Sequence, residues 1–382
     1  MKKLFYVGII GAILFEIANV YFIMPIPGSQ RINSIDFAYF LSTWKWIFRG
    51  FFMLMILAGS LFAFSDKRWL ILLNIASFII LVGVYYMTNF EMAADTMFYQ
   101  PSDLQFKNTA ENKVEKERLV IGAVINGQAR AYPIQYLGYH HQVRDTLGGK
   151  PIIVTYCTVC RTGRIFEPIV NGKVENFRLV GMDHFNAMFE DATTKSWWRQ
   201  ANGEAIAGKL KGQMLPEIDI TQATLQKWLD LHPKSLIMQP DLKFKEEYDP
   251  LSNYETGKRK GKLTRRDSLS WKEKSWIVGI ELNGQSKAFD WNRLEKERII
   301  NGVVANQAIV LVLCDDKKSF FAFERPNNSA IFSIKNDTLY QKQIAYNLSG
   351  QAIRNTNLKL KQLNAYQEYW HSWQSFHPKT LK

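Results

Sequence analysis

The sequence predicts three membrane-spanning helices followed by a β-rich α+β region built from two duplicated halves. Three observations carry this. Apolar stretches of spanning length fill the N-terminal quarter and then stop. Asn-Gly and Gly-Gly pairs separate alternating apolar runs, as hairpin turns do. A long segment recurs in fixed register.

The apolar stretches run from Leu4 to Met24, Ile47 to Phe64 and Trp69 to Met87. Each is about as long as a bilayer-crossing helix of ~17–25 residues. Lys2 and Lys3 precede the first, but no small-x-small cleavage site follows it, so it reads as an anchor and not a removable signal. Lys67 and Arg68 lie between the second and third. The basic flanks therefore place the N-terminus in the cytoplasm and the soluble region outside it, although Arg31, Lys45 and Arg49 lie between the first two spans. Glu16 sits mid-span, where an ionisable group is costly and often functional. The structural alternative is a bond to Asn19 or to a hydroxyl on a neighbouring helix.

Residues 1–97 thus form the anchor, and 98–240 and 275–382 the two halves. Val120 to Pro133 (VIGAVINGQARAYP) reappears as Ile277 to Asp290 (IVGIELNGQSKAFD). Holding that register places Cys157 on Cys314, Phe166 on Phe323 and Glu167 on Glu324. After a shortening, Leu225 to Leu236 parallels Trp370 to Leu381, with Trp228 over Trp373 and His232-Pro233 over His377-Pro378. Asn126-Gly127, Gly148-Gly149, Asn171-Gly172 and Asn283-Gly284 read as hairpin turns. Short helices are expected over Ile134–His140 and Thr221–Leu231. Residues 241–274 are polar, with few apolar anchors, and read as a connector. The chain carries a net charge of +13. Its basic run from Lys258 to Arg266 reads first as a solvated loop, and second as a contact for anionic lipid.

The chain has three cysteines in 382 residues, which excludes a disulfide scaffold. Cys157 and Cys160 follow an apolar β-branched strand, at a spacing that suits disulfide closure or joint ligation of a soft metal. The repeat sorts the chemistry. Cys160 falls on Lys317, His140 on Glu297 and His141 on Arg298, so the first half alone carries the Cys-Cys-His set. Cys314, shared by register, reads as a buried structural thiol. Arg161, Arg164 and the turn amides of Thr162 and Gly163 lie close enough in sequence to favour a thiolate. In a redox site Cys157 attacks, Cys160 resolves, Arg161 stabilises the thiolate and His140 shuttles a proton. In a metal site Cys157 and Cys160 hold copper or zinc, with His140 or His184 as third ligand. In a scaffold protein the pair is a closed disulfide. A zinc ribbon, a haem-attachment site and a thioredoxin helix do not fit the surrounding sequence.

His232 and His377, each before proline, read as helix-terminating packing residues. Asp191, Ser196 and Trp198 read first as turn and core residues. No phosphate cradle, dinucleotide glycine pattern or Ser-His-Asp order occurs, so hydrolase and nucleotide-binding functions have no support, and nucleic acid does not suit an exported domain.

Nearly all of Leu119 to Lys382 resembles the bacterial family known as domain of unknown function 3179. The resemblance is carried by NGQARAYP (Asn126–Pro133), HHQVRD (His140–Asp145), VTYCTVC (Val154–Cys160), DATTKSWW (Asp191–Trp198) and GEAIAG (Gly203–Gly208). Its histidine falls on His140 and its cysteines on Cys157 and Cys160. Later family positions fall on Asp191, Thr194, Ser196, Trp198 and Gln200. Two positions depart: the usual proline after the first cysteine is Thr158, and the acidic residue after the histidine is His141. Some relatives look like selenoproteins, which implies redox or soft-metal chemistry. In a bacterial protein the three spans place the anchor in the inner membrane. The expectation is a membrane-anchored, extracytoplasmic thiol oxidoreductase with a redox partner protein. The alternatives are a copper or zinc delivery module and a scaffold.

Overall fold

The computed structural model describes residues 1–64, 67–355 and 357–382. The chain divides into two compact units, one comprising residues 1–99, 175–199 and 204–214, the other residues 100–174, 200–203 and 215–382.

The first unit holds three helices long and apolar enough to cross a membrane: α1 (Lys2–Tyr21), α2 (Ile35–Ala63) and α3 (Arg68–Tyr86), the last prolonged by a π-turn over Met87–Glu91. Small residues let α1 and α2 approach closely. A β-carbon added at Gly59 would lie 2.3 Å from the Phe5 nitrogen, and one at Gly11 2.3 Å from the Phe52 ring. Phe5, Ile9, Ile56, Ala63 and Leu81 form the buried seam. The second helix begins at Ile35, well before the expected Ile47, so Lys45 and Arg49 lie inside it and not in a loop. The charges interrupt the apolar run without breaking the helix, because Arg49 finds a carboxylate: its Nε and Nη2 donate to Glu16 at 2.7 and 2.8 Å. Glu16 therefore bonds an arginine, where the sequence pointed to Asn19 or a hydroxyl.

Two segments of the first half belong to this unit, which the sequence boundaries did not foresee. Phe177–Asp183, Asn186–Asp191, Trp197–Arg199 and Ala205–Ala207 form an antiparallel sheet. Its core, with Val180, Met188, Trp197 and Ile206, includes Ala38 of α2. The Met182 amide donates to the Ile23 carbonyl at 2.7 Å. Only glycine fits at position 181 beside it, since a β-carbon there would lie 2.3 Å from that same oxygen.

In the second unit, the hairpin Leu119–Ile125/Gln128–Pro133 carries Thr221–Thr224 along its first strand, and the helix Ile134–His140 follows it. Next comes the meander Gln142–Leu147, Lys150–Cys157 and Thr162–Phe166, edged by Glu217–Ile218. The same order of elements occurs again: hairpin Trp276–Leu282/Gln285–Asp290 with Tyr366–Tyr369, helix Trp291–Glu297, then the meander Ile299–Val304, Gln307–Leu313, Phe320–Glu324, edged by Gln362–Leu363.

All four expected hairpin pairs, Asn126-Gly127, Gly148-Gly149, Asn171-Gly172 and Asn283-Gly284, have positive φ at both residues, the type I′ requirement. The expected helix from Thr221 begins only at Leu225. The residues before it form a strand, and Thr224 caps the helix by accepting the Lys227 amide. Trp228 and Trp373 lie flat over Gly122 and Gly279. Trp228 packs at a tilt against His232, with ring centres 4.1 Å apart, and Trp373 stacks on His377 at 3.8 Å, so both histidines pack as expected.

The segment read as a connector is folded. Phe244, Tyr248, Leu251, Tyr254, Glu255 and Lys274 are all buried. Most of its basic run is exposed, but Arg266 pairs with Glu295 and lies over Trp276.

Candidate functional site

The strand Lys150–Cys157 hydrogen-bonds Thr162–Phe166 with Cys157 opposite Thr162. This leaves Thr158–Arg161 as a four-residue hairpin loop, closed by Arg161 at φ +58. Cys157 is thus the last strand residue, and Cys160 sits in the loop. Gln200 fastens the two strands, donating to Thr155 Oγ1 and to the Thr162 carbonyl at 3.0 Å each. Tyr254, from the segment read as a connector, donates to the Thr158 carbonyl at 2.9 Å.

Both cysteines are fully buried and form no disulfide, and Cys157 lies close enough to act on the Cys160 thiol. The second half supplies what surrounds Cys160. The Tyr369 amide donates to the Cys160 carbonyl at 3.0 Å. The helix Trp370–Phe376 that follows brings His371, whose Nε2 lies 4.0 Å from the Cys160 sulfur. Nδ1 of the same ring lies 3.0 Å from the Glu273 carbonyl, which can only accept. Nδ1 therefore carries the proton, and Nε2 offers its lone pair to the Cys160 S–H. Ser372 also faces this thiol, and its hydroxyl donates to Glu368 at 2.9 Å.

Lys274 lies just before the strand Trp276–Leu282. Its Nζ donates to the Val159 carbonyl at 2.6 Å, inside the cysteine loop, and lies 4.6 Å from the Tyr369 ring centre. Burial pulls its pKa down to about 8, against the pull of the two cysteines, Glu273 and Asp267 toward the charged form. Burial, and then the Lys274 charge, push His371 down to about 3, so this imidazole stays neutral. Burial pushes the Cys160 thiol well up. The neighbouring Cys157 adds to this, while Lys274 and Ser372 oppose it.

The arginines expected to favour a thiolate have other partners. Arg161 donates to Gln367 at 2.8 Å and to the Glu255 carbonyl at 3.1 Å, with its guanidinium 3.9 Å over Trp276. Arg164 pairs with Glu368 at 2.7 Å and stacks on Tyr366. The cation that acts on Cys160 is Lys274. His140 places Nε2 2.6 Å from the Tyr248 hydroxyl, and its ring meets those of Tyr139 and Phe244 edge to face. His184 bonds Asp183, which also accepts from Arg199. Asp191 organises its own turn, accepting from the Thr194 hydroxyl, the Ser196 amide and the Trp198 indole. Cys314 is buried, and burial pushes its thiol up. Among the described residues no three His, Cys, Asp or Glu side chains converge as a metal-holding group.

Sequence reasoning missed Lys274 and His371. The register read from the sequence held a signal for the second: in it His371 falls on Gln226, so the histidine has no counterpart there. Lys274 gave none, being one basic residue among many.

These features define a class: a chain with three N-terminal helices able to cross a membrane and a sheet-rich mixed α/β region that holds a buried pair of free thiols. The chain belongs to the family described as Protein of unknown function (DUF3179), whose model matches residues 101–380. No curated protein and no solved structure matches it.

Proposed function

We propose that this chain is a membrane-anchored, extracytoplasmic thiol redox protein in which Cys157 and Cys160 cycle between dithiol and disulfide. One observation carries the reading: two buried cysteines flank a loop whose Val159 carbonyl is held by Lys274, an amine whose pKa burial lowers to about 8, with His371 Nε2 4.0 Å from the Cys160 sulfur. Lys274 in its neutral form accepts the Cys160 proton, and its ammonium then stabilises the thiolate. The groups that favour ionisation converge on Cys160, so this reading reverses the roles expected from sequence. Cys160 attacks one sulfur of a partner disulfide, releasing the other as a thiol. Cys157 then displaces the partner from the mixed disulfide, closing the Cys157–Cys160 bond. Two electrons and two protons pass to the partner.

The extracytoplasmic placement is supported by the basic residues Lys2, Lys3, Lys67 and Arg68 flanking the spans. Zinc would need further ligands beside the two sulfurs, whereas Cu(I) is held by two thiolates alone, so metal content separates copper delivery from the redox reading.

The test is redox titration of the full-length protein in detergent, counting free thiols by alkylation and mass, with metal content measured on the same sample. A single two-electron transition, lost in both Cys157→Ser and Cys160→Ser, is expected. A transition that survives Cys160→Ser, or a stoichiometric metal that disappears with it, sinks the proposal.

A further inference from the structure

The three helices enclose a second cluster of chemistry. Glu16 is buried in the last third of α1, and both of its oxygens accept from Arg49 of α2. Arg49 Nη2 also donates to Asn89 Oδ1 at 2.6 Å, and Asn89 Nδ2 returns a bond to Glu16 at 2.9 Å. Asn89 lies in the π-turn after α3, an irregularity frequent at functional sites. Each helix or its extension thus contributes one member of a closed polar triangle, with Glu16 and Asn89 toward the C-terminal ends of α1 and of the extended α3.

The triangle borders a cavity of about 330 Å³ whose walls include Ala12, Met53, Ile56, Phe78, Leu81 and Val82. Trp46 and Tyr85 also line it, each placed against the Arg49 guanidinium at 4.8 and 4.9 Å from ring centre. Its volume is in the range of small-molecule sites, which combine apolar walls with a few convergent polar groups.

We infer that this cavity binds the head of a lipid-soluble quinone. Four features select it. The Glu16–Arg49 pair is neutral as a whole, which disfavours a phosphate or carboxylate head. Arg49 Nη1 has no partner among the described residues and is a donor for a neutral carbonyl oxygen. The aromatic and aliphatic walls suit a flat, uncharged ring. Val82, on the wall, is half exposed on a helix face with no protein over it, so entry is from the lipid side. The choice of a redox-active ring rests on the thiol proposal, since the Cys157–Cys160 disulfide left after the partner is reduced must regain two electrons and two protons, which the quinol form of such a ring gives up as it becomes the quinone. The binding site itself rests on the helices alone.

The test uses the full chain in nanodiscs with a short-chain ubiquinone analogue, measuring saturable binding above partition into empty nanodiscs. Val82→Phe narrows the cavity without touching the polar triangle. The paired change Glu16→Gln with Arg49→Gln removes both buried charges together and leaves hydrogen-bonding groups in place. Stoichiometric binding weakened tenfold or more by each variant, and unchanged by Cys157→Ser, is the expected result. Binding no greater than partition, indifference to both variants, or a co-purified phospholipid that the quinone does not displace overturns it. Saturable binding in a protein whose thiols show no redox transition would leave this site standing and remove the thiol proposal instead.

Discussion

Replacing Lys274 by methionine separates the thiol site's chemistry from its packing. Burial lowers this amine from an ordinary 10.5 to about 8. Each pKa unit is worth about 1.4 kcal/mol, so holding the ammonium in the folded protein costs about 3 kcal/mol. The folded state loses its proton first. Between pH 8 and 10.5 the unfolded chain therefore binds more protons, and the wild type gains stability as pH rises. Below pH 8 the full cost is present. Methionine removes that cost and fills the same slot, but it leaves the Val159 carbonyl without its 2.6 Å donor, a loss of about 1–3 kcal/mol. The two terms nearly cancel at pH 7, so Lys274→Met should be about as stable there as the wild type. From pH 7 to 9.5 the wild type should gain about 2 kcal/mol over the variant. Hydrogen exchange in the strand Lys150–Cys157, compared between the two proteins at each pH, reads this difference. Thiol alkylation should slow by about tenfold or more at pH 7, because an opposite charge nearby shifts an ionisation by ~1–3 units. A stability difference flat in pH would show that Lys274 is not a buried ammonium. An unchanged alkylation rate would show that it does not act on the cysteines.

The alkylation rate of wild-type Cys160 should carry no inflection between pH 5 and 7, because His371 stays neutral down to about 3; a step near 6.5 that His371→Gln removes would contradict the neutral imidazole. Glu255 is buried, with Oε1 lacking a partner among the described residues and its pKa pushed up to about 7 by burial. Its folded form keeps a proton that the unfolded chain releases from about 4.5, so the wild type loses up to about 3 kcal/mol as pH rises through 7. Glu255→Gln should therefore raise the melting temperature at pH 8 and leave it nearly unchanged at pH 5; equal effects at both would refute the shift. Gly279→Ala would place a β-carbon 2.3 Å from the buried Trp373 ring, and should cost at least the ~1–3 kcal/mol typical of overpacking. Gly284→Ala, with open space but φ +72, should cost no more than about 1–2 kcal/mol, and equal melting points for the two would refute the contact.

What the sequence determined by itself is local. Apolar length marks three helices, because a bilayer-crossing helix must satisfy its backbone bonds internally and bury little polarity. Asn-Gly and Gly-Gly pairs mark the hairpins, because few residues adopt positive φ twice in succession. The position of Cys157 at a strand end and Cys160 in the following loop is likewise readable from adjacent residues.

Tertiary structure decided the rest. Arg49 looks like a loop charge until Glu16 of another helix is seen to receive it. Arg161 and Arg164 are neighbours of Cys160 in sequence, yet their guanidiniums go to Gln367, Glu368 and aromatic faces. Lys274 and His371 lie more than a hundred residues from the cysteine loop and meet it. Side-chain direction and burial set which charges reach a thiol, and both follow from how distant strands and helices pack. Spacing along the chain fixes neither.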